Sequence, residues 1–444
     1  MNRNLPTIAS LQLAGLVWLS VFHWAAVPAL TPLRWPVSAL VWALPFLWLF
    51  RSPEAAKNIK RLPLATLVLW AVWYFVAINW SLDQQPAIAI SLGVFSVVLA
   101  GSFYAGTFGW ERFAKVVAMT LAAFLVAGLA YRVVSGPMFN AQGRHTGIAP
   151  NPTDIGRYGA IMALAGISGF KGNRRVQLGF LMGGVLIVVL AVAKTAMIGL
   201  GASLIVLAYR TIGRNARTAM TAGLAVGLIV VSTLIIGSID ADVQTSGELL
   251  DESALTLTGR TEIWSLAWEA IQVKPIVGHG TNSSGILFEE LSRGGQLSWQ
   301  ITNAHNLWLQ SILEHGILGV LLLVATFGAI VLRIRSRFDP TRDSLLVMLT
   351  INSMTEALVQ YPELTLVVLA GVAGALSYEP RSETDGENIF GVPYASLTAP
   401  PMPPKPEHRS GRVLEPATAG SAARSVTGPS TRPPNDSVTG WRDV

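Results

Sequence analysis

Cysteine is absent from all 444 residues, and only 13% of them are charged. Without a thiol there is no disulfide, thiolate zinc site, iron–sulfur cluster or cysteine nucleophile. A soluble domain carries roughly a quarter charged residues, so about half the customary charge is missing. With 51% hydrophobic residues and fourteen Trp, the composition argues for an integral membrane protein and against a soluble enzyme or nucleic-acid binder. Also missing are a Walker phosphate loop, HExxH, GxSxG and any metal-ligand cluster, so no cofactor or metal is expected. The net charge of +6 fits basic cytoplasmic loops better than a polyanionic partner.

What the chain has is long apolar runs. A helix crossing the hydrocarbon needs about 20 mostly apolar residues. Such runs centre on 10–29, 35–50, 62–80, 86–106, 113–131, 155–170, 176–193, 195–209, 218–238, 316–332, 344–359 and 363–378. The division near 194 is the doubtful one, because 176–209 could be a single overlong helix. Lys171, Arg174 and Arg175 precede it, and Arg210, Arg214 and Arg217 follow it. Both flanks are basic, and both belong in the cytoplasm by the positive-inside rule, so two spans are required. Lys194 then sits at the outer turn. Over the whole chain this topology puts 17 basic residues inside, 8 outside and 7 in the segment after 378. That last segment, 379–444, holds 11 of the 25 prolines and no apolar periodicity. It reads as a disordered cytoplasmic tail.

Chemistry is expected at the outer face, where 239–303 is the one large segment. Charges at a membrane edge are costly, which makes each outer basic residue a functional candidate. Thr258–Ile271 reads as an amphipathic helix with Arg260, Ile263, Trp264, Ala267 and Ile271 on one face and Glu262, Ser265 and Glu269 opposite. Arg260 is either a snorkelling or paired cation, or a guanidinium held for a phosphate, whose oxygens its planar fork suits. In Asn303–Gly316 the residues His305, Trp308, Leu309 and Ile312 share a helical face, with Gln310 and Glu314 on the other and Gly316 as a stop. His305 is either a hydrogen-bonded core residue or a proton acceptor at the mouth of the bundle. The turn-rich loop Gly143–Pro152 presents Arg144 beside His145. Acidic residues of the large loop, including Glu289 and Glu290, have no spacing that specifies a glycosidase pair.

Taken together, Gly259-Arg260-Thr261-Glu262-Ile263-Trp264, Pro275-Ile276-Val277-Gly278-His279-Gly280, Ala304-His305-Asn306-Leu307-Trp308-Leu309-Gln310 and Glu314-His315-Gly316-Ile317-Leu318-Gly319 resemble the O-antigen ligase and polysaccharide polymerase superfamily in order and spacing. The resemblance implies an inverting, metal-independent glycosyl transfer at the outer face of the bacterial inner membrane. The implied donor is a glycan on undecaprenyl diphosphate, with a glycan acceptor and, as a possible further partner, a chain-length regulator. Carried over by position, Arg260 and His305 are the implied catalytic residues, and Arg260, Lys194 and Arg144 the implied diphosphate-binding ones. Lys194-Thr195 stands where ligases commonly have a Ser-Arg pair, and is closer to the exopolysaccharide polymerase branch. The expected fold is an all-α integral membrane protein of about twelve transmembrane helices, with both termini cytoplasmic. Spans one to nine fill 1–238. A large periplasmic loop with short amphipathic helices covers 239–303, and a periplasmic helix with the last three spans covers 304–378. The expected function is polymerisation of lipid-linked repeat units. A ligase moving finished glycan to lipid A–core is the runner-up, and a transporter or flippase for a lipid-linked glycan is the rival class. A transporter should carry charges or broken helices at mid-membrane, whereas the candidate cations here gather on one side.

Overall fold

The computed structural model describes residues 5–22, 33, 36–43, 61–135, 149, 151–211, 258–293, 303–356 and 362–378. The described residues all fall within one compact unit. The expected tail, the ninth span, half of the second span and, in the large loop, 239–257 and 294–302 lie outside the described residues. Among the described residues every regular element is a helix: α1 Leu5–Val21, α2 Leu64–Ala77 with a 3-10 turn Ile78–Trp80, α3 Gln84–Phe108, α4 Trp110–Ser135, α5 Pro152–Gly169, α6 Arg174–Leu190, α7 Lys194–Thr211, α8 Thr258–Val273, α9 Ser284–Arg293, α10 Leu307–Ser336, α11 Pro340–Ser353 and α12 Leu364–Ser377. Gln84–Phe108, Trp110–Val134 and Leu307–Ser336 are long and apolar enough to cross a membrane, and Ile8–Val21, Leu64–Trp80 and Leu364–Ser377 are shorter apolar helices. The 176–209 stretch does break in two, with Val192 in a left-handed conformation (φ 49°) just before α7.

Close contacts fix how the helices run. Small residues let α3 and α12 approach closely: Gly101 lies against Val367 and Ala370, and Gly374 against Ser102. Gly106 meets Tyr378 at one end of this pair, and Gly93 meets Pro362 towards the other. Gly156, Gly159 and Gly166 of α5 face Ala193, Ile187 and Phe180 in turn, so α5 and α6 are antiparallel. Gly199 of α7 faces Asn352 while Arg210 reaches Asp343, so α7 and α11 are antiparallel too.

One end of the bundle, the base, is tied by polar contacts. Trp110 Nε1 donates to Ser168 Oγ at 2.6 Å, which lies 2.8 Å from Thr341 Oγ1. Arg337 donates to the carbonyls of Leu376 and Tyr378. Asp339 caps α11, accepting from the Thr341 and Arg342 amides at 3.0 and 3.1 Å, with Pro340 in the first turn, where its missing N–H leaves nothing unpaired. Lys171 Nζ lies 2.8 Å from its other oxygen. Burial opposes the Asp339 charge, but Lys171, the Thr341 hydroxyl and the Arg342 amide outweigh it and hold this carboxyl down at about 2. A depressed native pKa gives stabilisation that is complete above about 3.9, the unfolded value, and lost as pH falls through the native one. Detergent-solubilised protein is therefore expected to lose thermal stability between pH 5 and 2. Asp339→Ala should lower stability at neutral pH by about 1 kcal/mol, as for other lost helix caps, and blunt that acid loss, as read by scanning fluorimetry.

The other end, the rim, is uneven. Pro362 packs beside Gly93, while α3 continues back to Gln84, about 13 Å farther at 1.5 Å per residue. The start of α12 is therefore recessed below the rim of α3. Arg157 near the start of α5 lies 3.4 Å from Glu363 just before α12, Gly156 packs on Ala193 and Ala196, and Gly199 faces Asn352, so the starts of α5 and α7 and the end of α11 share that recessed level.

Candidate functional site

Two interlocked glycine loops roof the recess. At Gly316 the α10 backbone leaves helical values (φ 66°, ψ −171°). The two limbs fold towards each other, so that the rings of Trp308 and Phe327 lie 5.6 Å apart. A broken helix frees backbone groups that need partners, and the loop between α8 and α9 supplies them. The His279 and Gly280 amides donate to the Leu313 and Glu314 carbonyls at 2.9 and 2.8 Å. In return the Ile317 and Leu318 amides donate to the Pro275 and Ile276 carbonyls at 2.9 and 3.5 Å. The fit leaves no room for side chains: a Cβ at Gly278 would stand 2.5 Å from the Glu314 carbonyl, and one at Gly316 would stand 2.1 Å from the Ile276 oxygen. Trp73 Nε1 donates to the His315 carbonyl, Trp80 Nε1 to that of Val277 and Ser81 Oγ to that of Thr281, at 3.0, 3.1 and 2.7 Å. These bonds fasten the roof to the end of α2. Two of the motifs singled out in the sequence, Pro275–Gly280 and Glu314–Gly319, are thus the two halves of one structural joint.

His305 lies under that roof, and here a sequence expectation is corrected. It is not on the helix with Trp308. The helix begins at Leu307, because the Asn306 side chain accepts from the Trp308 and Leu309 amides at 2.9 and 3.1 Å, an N-cap. His305 itself takes a left-handed backbone (φ 46°), rare for a residue with a Cβ. Its neighbours hold it there. Asn303 Oδ1 accepts the His305 amide at 2.9 Å, Gln310 Oε1 accepts that of Ala304 at 2.8 Å, and Asn306 Nδ2 donates to the Met354 carbonyl at 2.9 Å. Gln310 Nε2 and Ser284 Oγ both donate to Glu314 Oε1 at 2.8 Å. Gln310 and Glu314, opposite the His305 face in the sequence pattern, are 2% and 1% exposed and anchor the turn that carries His305.

The ring of His305 points towards Glu356, with Nδ1 3.7 Å from the carboxylate and about a third of the side chain exposed (32%). Glu356 belongs to a charged floor. Arg157, 4% exposed, lies 2.6 Å from Asp154 and 3.4 Å from Glu363, and both Arg157 and Glu363 feel the charge of Glu356. Arg157 counts among the outer cations in the sequence, but it is engaged by these carboxylates. Asp154, Glu356 and Glu363 escaped sequence reasoning, although the rule that membrane-edge charge is functional applies to acids as much as to bases.

Of the other expected site residues, Lys194 is the exposed first residue of α7, beside the start of α5, since Ala193 and Ala196 both lie against Gly156. Arg260 lies in the first turn of α8, and its side chain is outside the described residues, as is Arg144 altogether. α8 packs as its pattern implies, with Ile263, Ala267 and Ile271 buried beside Leu313 and Ala304. Trp264, one turn on from Arg260, donates through Nε1 to the Ala304 carbonyl at 3.0 Å, next to His305. Lys194, the α8 turn bearing Arg260, and His305 thus come to the same end of the bundle. The loop acid Glu289 forms an exposed pair with Arg293, and no group of metal-binding side chains occurs among the described residues.

Residues 178–324 match the family model described as O-antigen ligase. The matched segment contains Lys194, Arg260, His305 and both halves of the glycine joint, while Arg157 and Glu356 lie outside it. No curated protein matches the chain.

Proposed function

We propose, from the premise that residues 178–324 form an O-antigen-ligase-like segment of a membrane glycosyltransferase, that this protein joins lipid-linked glycan repeat units at the outer face of the bacterial inner membrane. The observation that carries the reading is the gathering of Lys194, the Arg260 turn and His305 at one recessed end, under a roof built from the motifs of that segment. The donor is a glycan on undecaprenyl diphosphate. The acceptor hydroxyl oxygen attacks the anomeric carbon from the side opposite the diphosphate and the carbon–oxygen bond to phosphate breaks. The bonding pair leaves with the diphosphate, and the configuration inverts. Lys194 and Arg260, with Arg144 from the segment before α5, meet the charge that develops there, and fixed cations in a water-poor site stabilise it far more than bulk water would. His305 receives the hydroxyl proton or aligns the hydroxyl for attack. The depth of the recess suits a lipid carrier, whose diphosphate sits where headgroups meet hydrocarbon.

The description of the matched family favours a second reading, transfer of finished glycan to lipid A–core, whereas the Lys194-Thr195 pair favours polymerisation. Deleting the gene separates them. Loss of a polymerase leaves single repeat units on the final acceptor, and this is the expected result. Full-length glycan stranded on the lipid diphosphate would instead identify a ligase.

A further inference from the structure

Glu356 lies outside the family-matched segment, some fifty residues beyond His305, yet it is the carboxylate that faces the imidazole. Three observations bear on it. First, the His305 backbone is held in a strained conformation by anchored neighbours on both sides, and strain of this kind persists where the surroundings over-determine it, often at working sites. Second, the direct tie between the two segments, from Asn306 Nδ2 to the Met354 carbonyl, fixes residue 306 against residue 354 and so sets the neighbouring 305 and 356 opposite one another. Third, the accessibility is unequal: the imidazole is 32% exposed and the carboxylate 11%. A third of the His305 side chain is thus open, while Nδ1 is turned to a carboxylate that solvent barely reaches.

We propose that Glu356 is a positioning residue for His305, resting on the reading above in which His305 meets the acceptor hydroxyl. Glu356 holds the proton on Nδ1 and the ring in one orientation, leaving Nε2 unprotonated towards the acceptor. A carboxylate on one ring nitrogen selects the tautomer at the other. When the acceptor oxygen bonds to the anomeric carbon, its proton passes to Nε2. The resulting imidazolium stands against the Glu356 charge until the proton leaves for water or the departing diphosphate. A separation of 3.7 Å is long for a hydrogen bond, but such contacts commonly tighten only when substrate is bound. Arg157 of α5 lies between Asp154 and Glu363, and its interaction with Glu356 is attractive. Lys194 and Arg260 come from α7 and α8, where the donor diphosphate is expected.

The test uses full-length protein in nanodiscs with lipid-linked donor and acceptor glycan. Glu356→Ala is expected to lower kcat by about 10²-fold, the low end for lost acid–base alignment, with KM for the donor within about threefold. Glu356→Gln keeps the shape and an accepting oxygen and should lose only about 10-fold, and Glu356→Asp should recover part of the Ala loss. With ¹⁵N-histidine, the wild type should show one His305 ring as the Nδ1–H tautomer, and Glu356→Ala should turn it into a mixture. Glu289→Gln, in an exposed pair, is the control. If His305→Ala abolishes transfer while Glu356→Ala and Glu356→Gln both retain wild-type kcat and the tautomer is unmoved, the positioning role is wrong and the functional reading stands. If His305→Ala itself remains active, the functional reading fails first. Should Glu356→Ala not fold, the isosteric Gln variant decides by the same kcat and tautomer measurements.

Discussion

Replacing Arg260 or His305 by Ala should cut glycan transfer by about 10²–10³-fold in a purified system, the loss typical when one fixed partner of a developing charge or a proton in flight is removed. The two losses should differ in kind. On the proposed reading Arg260 meets the diphosphate in both the bound donor and the transition state, so Arg260→Ala should raise KM for the donor as well as lower kcat. His305 is proposed to meet only the acceptor hydroxyl, so His305→Ala should leave donor binding intact and act on kcat. Arg260→Lys restores charge but not the fork that grips two oxygens, and an intermediate rate is expected. Radiolabelled donor in nanodiscs, with products separated by size, measures all three. Both Ala variants running at the wild-type rate would remove the enzyme from consideration and leave transport of the same lipid-linked cargo as the surviving account.

Much of this arrangement is legible in the sequence because it rests on local pattern. The long apolar runs mark α3, α4 and the second limb of α10, and basic residues on both sides of 176–209 call for the break that the structure places between Leu190 and Lys194. The 3.6-residue period of α8 shows which side is buried: Ile263, Ala267 and Ile271 are inside and Glu269 is exposed. What escapes is set by contacts between distant segments. Nothing within Asn303–Gly316 shows that Ser284 donates to Glu314, so a charged residue on an amphipathic pattern reads as solvent-facing. Asn306 was the available clue that the helix starts after His305, since Asn is a favoured cap before an apolar run. The recess itself follows from where α12 begins relative to α3, a register set by Gly93, Gly101 and Gly106 against a segment more than two hundred residues away. A single sequence carries no trace of that pairing. Arg157 illustrates the same limit: its positive charge is visible in the sequence, but the two carboxylates that engage it come from its own turn and from the start of α12.

The largest structural effect is expected at Gly316. A side chain there meets two separate penalties. The backbone lies at φ 66°, ψ −171°, a region essentially confined to Gly, where another residue costs on the order of 1–3 kcal/mol. The new Cβ would also stand 2.1 Å from the Ile276 oxygen and 2.3 Å from its carbonyl carbon. Those are backbone atoms, so relief requires the 275–280 loop to move away. That movement breaks the four backbone hydrogen bonds which bind the loop to the broken helix, each worth about 1 kcal/mol, and strands their partners. Gly316→Ala is therefore expected to lower stability by more than about 3 kcal/mol, enough to deplete folded protein in the membrane. Gly328→Ala lies on the second limb of the same helix with nothing within 4 Å of the new methyl, and should be neutral or slightly stabilising. Comparing membrane yield and detergent melting temperature for the pair isolates the joint from any general intolerance of α10 to substitution. Any Gly316→Ala protein that survives extraction should transfer glycan poorly, because Gln310 and Glu314 on the first limb would no longer fix the turn that presents His305. A Gly316→Ala protein with wild-type stability and rate would mean that the interlocked loops do not hold the site together.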